Sequence, residues 1–262
     1  MPQNRLLVDK IIDFLHTEKE VYGPFGTHDF KGLSSEAAET DSPQMPDQEK
    51  QNITEEISQP ESTVSPTPPV TTPEMCSTLD ELRALCENAT ELRTDLEGTK
   101  LVFGVGNPQA DLMLIGEAPG AEEDQQGEPF VGAAGQLLNK IISAVQFQRE
   151  DVYIANILKH RPPGNRNPNP EEIEKNLPFL IRQIELIQPK LILSLGKISA
   201  TALLGEEQTI KSLRGKFHSC RGTELMVTYH PAALLRDPKW KRPVWEDVQL
   251  LRERYDALGG KP

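Results

Sequence analysis

The sequence predicts an α/β fold, a three-layer α/β/α sandwich around a central, mostly parallel four-stranded sheet, preceded by a disordered N-terminal arm. Three observations predict it. Short runs that are apolar on both faces alternate with longer stretches of helical period, the pattern of strands covered on both sides by helices. Each run ends in a polar or Gly/Pro-rich segment, as parallel strands do where open sheets keep their sites. Ahead of the folded part, residues 33–76 are dominated by Ser, Thr, Glu, Gln and Pro, the composition of a disordered linker.

The elements follow in order. Residues 1–32 form an arm in which RLLVDKIIDFLH (5–16) sets Leu7, Ile11, Phe14 and Leu15 at helical spacing. Such a helix either packs weakly on its own domain or hooks a protein partner. Residues 33–76, with PTPPVTTP near their end, hold too little apolar surface to offset ordering entropy. They predict a disordered linker of polyproline character. The folded domain spans 77–262. It opens with a helix over Ser77–Thr94, with Ser77 or Thr78 as N-cap and Leu79, Leu82 and Leu85 on one face. Strands are expected at Asp111–Ile115, Val152–Leu158, Lys190–Leu195 and Leu225–Tyr229. Helices are expected at Ala133–Val145, Glu171–Ile187, Lys197–Leu204 and Trp240–Leu258.

Charge and cysteine content narrow the function classes. The net charge is −12 over 262 residues, but residues 1–79 alone hold 5 Lys+Arg and 14 Asp+Glu. The folded part is therefore close to neutral, and local patches decide whether nucleic acid binds. Cys76, Cys86 and Cys220 form no C-x-x-C pair, so neither a zinc site nor a disulfide framework is indicated. Sparse, unpaired cysteine suits a reducing cytosol. No apolar run reaches the ~18 residues of a membrane span, and the N-terminus lacks the h-region of a signal peptide.

The most informative stretch is GEAPGAEEDQQGEPFVGAAG, from Gly116 to Gly135. Its glycines let backbone approach a ligand closely, and its carboxylates and single ring, Phe130, suggest chemistry on something flat. Other strand ends bring Asn156 with Arg161-Pro162-Pro163-Gly164-Asn165-Arg166, then Gly196-Lys197, then His230-Pro231-Ala232-Ala233-Leu234-Leu235-Arg236. In a parallel sheet these ends converge. RPPGNR suits phosphate contacts. HPAALLR offers two leucines in a surface loop, and apolar wedges of this kind unstack a duplex. Known nucleotide and hydrolase motifs fail. GVGNPQ at Gly104 lacks a third glycine, and no phosphate loop or G-x-S-x-G elbow exists.

GEAPGAEEDQQGEPFVGAAG, NILKHRPPGNRNPNP and HPAALLR resemble the three signature regions of family-4 uracil-DNA glycosylases, over about Val102 to Gln249. The resemblance implies an enzyme that flips deoxyuridine out of DNA and hydrolyses its N-glycosidic bond. It makes Phe130 the ring that stacks on uracil, with Ala118 and Pro119 beside the base. Asn156 becomes the base reader, its amide matching uracil O4 and N3–H. His230, with the Ala118 N–H, would stabilise the leaving anion at O2. Glu117 and Glu123 are the carboxylates for the cationic sugar or the attacking water, with Glu117 favoured. Arg161, Asn165, Arg166 and Arg236 would contact DNA, and Leu234 or Leu235 would fill the gap left by the base.

The family carries a [4Fe–4S] cluster on four cysteines, and here the chain departs from it. The third and fourth ligand positions hold His160 and Asn176. Upstream stands only Cys86, with Ala89 three residues later; the other alignment gives Ala89 and Leu92. Cluster ligation needs thiolates, so no cluster and no other cofactor or metal is expected. The loop then needs packing or hydrogen bonds around His160 and Asn176. The protein is expected to be a monomer that is cytoplasmic, of bacterial type and nucleoid-associated, with uracil-containing DNA as substrate. A second reading keeps binding to uracil-containing or single-stranded DNA but loses catalysis.

Overall fold

Six strands, β1 Val105–Gly106, β2 Leu112–Gly116, β3 Tyr153–Asn156, β4 Leu191–Leu195, β5 Phe217–Cys220 and β6 Thr223–Thr228, form one sheet in a computed structural model of the protein. Their order is β1-β3-β2-β4-β6-β5. Residues 72–205 and 207–261 are described; the expected helix over 5–16 and the linker before residue 72 lie outside them.

β3, β2, β4 and β6 run parallel and coincide with the four strands expected from two-faced apolarity. The expected four-stranded sheet is corrected to six strands by antiparallel edges, β1 on β3 and β5 on β6. β1 is two residues long, too short for any periodicity to register. β5 is joined to β6 by Arg221-Gly222, both at positive φ (50° and 89°), the signature of a two-residue hairpin turn.

The helices are α1 Leu79–Asn88, α2 Ala121–Gln126, α3 Ala133–Ala144, α4 Pro170–Ile187, α5 Lys197–Leu204, α6 Ile210–Leu213, α7 Pro231–Arg236 and α8 Lys241–Ala257. α1 starts where expected, with Thr78 Oγ1 accepting from the Glu81 N–H at 3.1 Å. It stops at Asn88 rather than Thr94, because Ala89 turns to an extended conformation and a single 3-10 turn, Thr90–Leu92, folds Leu92 into the core. Among the described residues no helix is long and apolar enough to cross a membrane.

Alternation along the strands builds the layers. Met113, Ile115, Ala155, Ile192, Leu225 and Val227 point to one face and pack with Leu180 and Ile184 of α4 and Ala200 of α5. Thr228, next in line after Val227, points the other way and donates its hydroxyl to Asp247 of α8 at 2.6 Å. A satellite core of Cys76, Leu82, Cys86, Leu92, Phe103 and Phe179 fills the space between α1 and α4.

Candidate active site

The site lies at the carboxyl ends of the parallel strands. Gly116 ends β2 and Asn156 ends β3, and the two are register partners. A β-carbon on Gly116 would fall on Asn156 Oδ1 and on the Phe130 ring, so the bare glycine backbone forms the floor on which these groups converge. The Phe130 ring centroid lies 5.5 Å from that of His230, at an interplanar angle of 31°. Phe130, Asn156 and His230, expected from three separate segments, are thus brought together.

Asn156 is 2% exposed, and its Oδ1 accepts no hydrogen bond among the described residues. An unsatisfied buried acceptor costs about 1–3 kcal/mol, which a ligand donor would recover. Its peptide is anchored from below by Lys159, which is fully buried. The Lys159 ammonium donates to Asn156 O (3.0 Å), Gln183 Oε1 (2.6 Å) and Phe103 O (3.3 Å). Burial lowers its pKa to about 8, still above neutrality, and three acceptors match the three protons of the charged form.

His230 caps α7, its Nδ1 accepting from the Ala232 N–H at 3.2 Å. That bond assigns the proton of the neutral ring to Nε2. Burial, and then the Arg236 charge, push its pKa down to about 4, against the opposing pull of Glu123. The imidazole is therefore a neutral Nε2–H donor at physiological pH. No hydrogen bond of the Ala118 N–H falls among the described residues, which leaves a second donor free beside Glu117. Pro119 is buried where the chain turns towards α2.

The two candidate carboxylates have separate fates. Burial raises the pKa of Glu117, opposed by the charge of Arg236. Glu123 is engaged by backbone: Oε1 accepts from Val131 and Gly132 N–H, both at 3.0 Å, and Oε2 from Gly120 N–H at 3.1 Å. Its oxygens are occupied in bracing the loop.

The expected DNA contacts also divide. HPAALLR, read as a surface loop, is the helix α7, because His230 caps it and Pro231 starts it. Leu234 is 2% exposed and belongs to the core, whereas Leu235 is 45% exposed and Arg236 is exposed beside it. In RPPGNR, Arg161 Nε donates to Asn165 Oδ1 at 2.7 Å, and Gly164 and Asn165 take positive φ. Arg166 is taken up by Glu172, at 2.7 and 2.8 Å, and by Asp95 at 3.3 Å. Its fork shapes the loop instead of facing outward.

Three groups near the site escaped the sequence reading. Lys159 is one. Arg149 is another, donating to the carbonyls of Pro129 (2.5 Å) and Phe130 (3.1 Å). The third is the stack of Tyr229 on Trp240, centroids 4.4 Å apart, which brackets α7. The stack had a signal, an aromatic residue immediately before His230 and another just after the expected wedge. The two cations had none, since their acceptors are largely backbone carbonyls.

At the positions where a cluster would sit, the donor set does not fit one. Asn176 Oδ1 accepts from the Lys159 N–H at 2.9 Å, and its Nδ2 donates to Glu172 O at 2.9 Å. His160 Nδ1 pairs with Thr99 Oγ1 at 3.0 Å. Burial pushes the Cys86 thiol up to about 12, which keeps it protonated, and Ala89 offers no donor. Three cysteines in the whole chain cannot supply four thiolates.

The family model described as the uracil DNA glycosylase superfamily matches residues 103–249. The type-4 uracil-DNA glycosylase of Archaeoglobus fulgidus is 42% identical over 171 residues, covering 62% of this chain and 86% of that protein. The type-4 enzyme of Pyrobaculum aerophilum is 41% identical over 180 residues (66% and 92%), and that of Saccharolobus solfataricus 44% over 170 residues (62% and 77%).

Proposed function

The chain belongs to the uracil DNA glycosylase superfamily, and from that premise we propose that it flips deoxyuridine out of DNA and hydrolyses its N-glycosidic bond, releasing uracil for base excision repair. The observation that carries this reading is Asn156 Oδ1, buried and without a hydrogen-bond donor beside the Phe130 ring. Uracil N3–H supplies the missing donor, and the Asn156 amide N–H meets O4. Cytosine turns an acceptor towards Oδ1, leaving the buried atom unpaired, a mismatch that binding sites reject strongly.

Bond cleavage leaves negative charge on uracil and positive character on the sugar. The neutral His230 Nε2–H and the Ala118 N–H suit the developing charge at O2, each such donor contributing about 2.7–4 kcal/mol. A neutral imidazole keeps this donor without burying a charge in the free protein. Glu117, as the carboxylate with free oxygens, serves the cationic sugar or orients water, and Glu123 positions the loop. Leu235 fills the gap in the stack, recovering roughly 1.5–3 kcal/mol of burial. Arg161, Asn165 and Arg236 meet phosphates. The enzyme works without an iron–sulfur cluster, its ligand positions being given over to the Asn176 and His160 hydrogen bonds.

The three relatives above are named as glycosylases, which does not favour a DNA-binding module without catalysis. The test is incubation with a uracil-containing oligonucleotide followed by alkaline cleavage of abasic sites. A strand break at the uracil is expected. Its absence at high enzyme concentration would reject the reading.

A further inference from the structure

Phe130 holds a backbone conformation in the sparsely populated left-handed region, with φ of 54°, at a cost its surroundings must meet. Two charged groups grip the chain on either side of it. Arg149 Nη1 donates to Phe130 O at 3.1 Å and Nη2 to Pro129 O at 2.5 Å. Glu123 Oε1 takes the next two N–H groups, of Val131 and Gly132, both at 3.0 Å. Four consecutive residues, Pro129 to Gly132, are thus fixed by a guanidinium on their carbonyls and a carboxylate on their amides. Gly135 adds close backing, since a β-carbon there would fall on the Phe130 carbonyl group.

Arg149 is itself fixed. Asn139 Oδ1 of α3 accepts from Nη1 at 3.3 Å. The residue starts the turn Arg149–Asp151 that leads into β3, the strand ending in Asn156. The clamp on the ring and the amide facing the base are therefore carried by one short stretch of chain. Two parallel N–H donors in a rigid plane suit two successive carbonyls; a lysine ammonium has no such fork.

We propose that Arg149 is a positioning residue for the base-stacking ring: by holding the Pro129 and Phe130 carbonyls it fixes where the Phe130 ring lies against Gly116 and Asn156, the face on which a flipped uracil stacks. It acts through Phe130 and touches no substrate itself. This rests on the glycosylase reading above.

The test is a double-variant cycle on the full chain with Arg149→Ala, Phe130→Ala and both together, reading kcat/KM for uracil release and the melting temperature. Base–aromatic stacking accounts for about 5- to 150-fold in rate or binding, so each single variant should lose activity within that range. The double variant should lose no more than the worse single one, while the melting temperature falls by the same amount for Arg149→Ala in both backgrounds. Millimolar guanidinium should restore Arg149→Ala and leave the double variant unchanged. If Arg149→Ala does not fold, Arg149→Lys takes its place in the cycle without the rescue, again with a non-multiplying loss. Losses that multiply in the double variant, with wild type active, overturn this inference alone. A wild-type protein that releases no uracil overturns the glycosylase reading, and this inference with it.

Discussion

Gly116 and Asn156 face each other across adjacent parallel strands, and the volume a side chain on Gly116 would need is already held by Asn156 Oδ1. A methyl group there would displace the amide and the Phe130 ring together. Gly116→Ala should cost uracil release about 100-fold, the scale of a 1 Å misplacement at a reacting centre. It should also cost about 1–3 kcal/mol of stability by overpacking. Asn156→Ala should separate the two effects. It removes an unsatisfied acceptor, so the melting temperature should hold or rise while uracil release falls about 100-fold or more. A steep loss of stability in Asn156→Ala would show that Oδ1 has a partner in the free protein.

His230 makes stability depend on pH. Its folded pKa, about 4, lies below the ordinary 6.5, so between those values the unfolded chain binds more protons than the folded one. The contribution is complete above pH 6.5 and is lost as pH falls towards 4. Denaturation midpoints from pH 7 to 4 should drop more steeply for wild type than for His230→Asn. Equal slopes would mean that the ring is not held neutral.

Glu117 and Arg236 are coupled. Burial raises the Glu117 pKa and the Arg236 charge pulls it back. Removing that charge should move the acid limb of the kcat/KM profile to higher pH, because the carboxylate must be ionised to face a cationic sugar. Arg236→Gln is the variant to measure. Its DNA affinity should also weaken with a smaller salt slope, by about one counterion. An unshifted acid limb in Arg236→Gln, with Glu117→Gln inactive, would rule out the coupling.

The four central strands are legible because burial on both faces leaves continuous apolar runs such as Leu112–Ile115. β1 is not, since two residues carry no period. Asn156 and His230 are legible because strand ends are where side chains converge, whichever helices cover the sheet, whereas Phe130, beyond the helix that follows β2, is reached through the resemblance. The division of labour within motifs is not. Glu117 is favoured over Glu123 by the resemblance alone, and the physical difference, three backbone N–H groups engaging Glu123, is invisible in the sequence. Leu234 and Leu235 are neighbours in a six-residue helix, too short for its buried face to be read from spacing. Arg149 and Lys159 bond largely to carbonyl oxygens, which every residue possesses, so no side-chain pattern betrays them.

Leu234 and Leu235 should behave oppositely. Leu234→Ala removes buried volume and should destabilise by about 2–5 kcal/mol, with activity per folded molecule little changed. Leu235→Ala should leave the unfolding free energy within about 0.5 kcal/mol of wild type, as exposed substitutions do. It should lower uracil release from duplex more than from single strands, where no stack must be filled. Equal losses on both substrates would remove Leu235 from the role of plug.

Asn176 tests how the loop stands without a cluster. Its amide joins the Lys159 N–H, next to the buried ammonium, to the Glu172 carbonyl of α4 and, at 3.5 Å, to Leu92 O. Asn176→Ala strands these groups in the interior, at about 1–3 kcal/mol for a buried donor left unpaired. Asn176→Cys should do no better, because one more thiol beside Cys86 still leaves His160 and Ala89 in the other two positions. Pure wild-type protein should contain no iron and should keep full activity after dialysis against a chelator. Iron and sulfide at the stoichiometry of a full cluster, or activity lost with the metal, would overturn the cluster-free reading. A melting temperature unchanged in Asn176→Ala would overturn the role given to its hydrogen bonds.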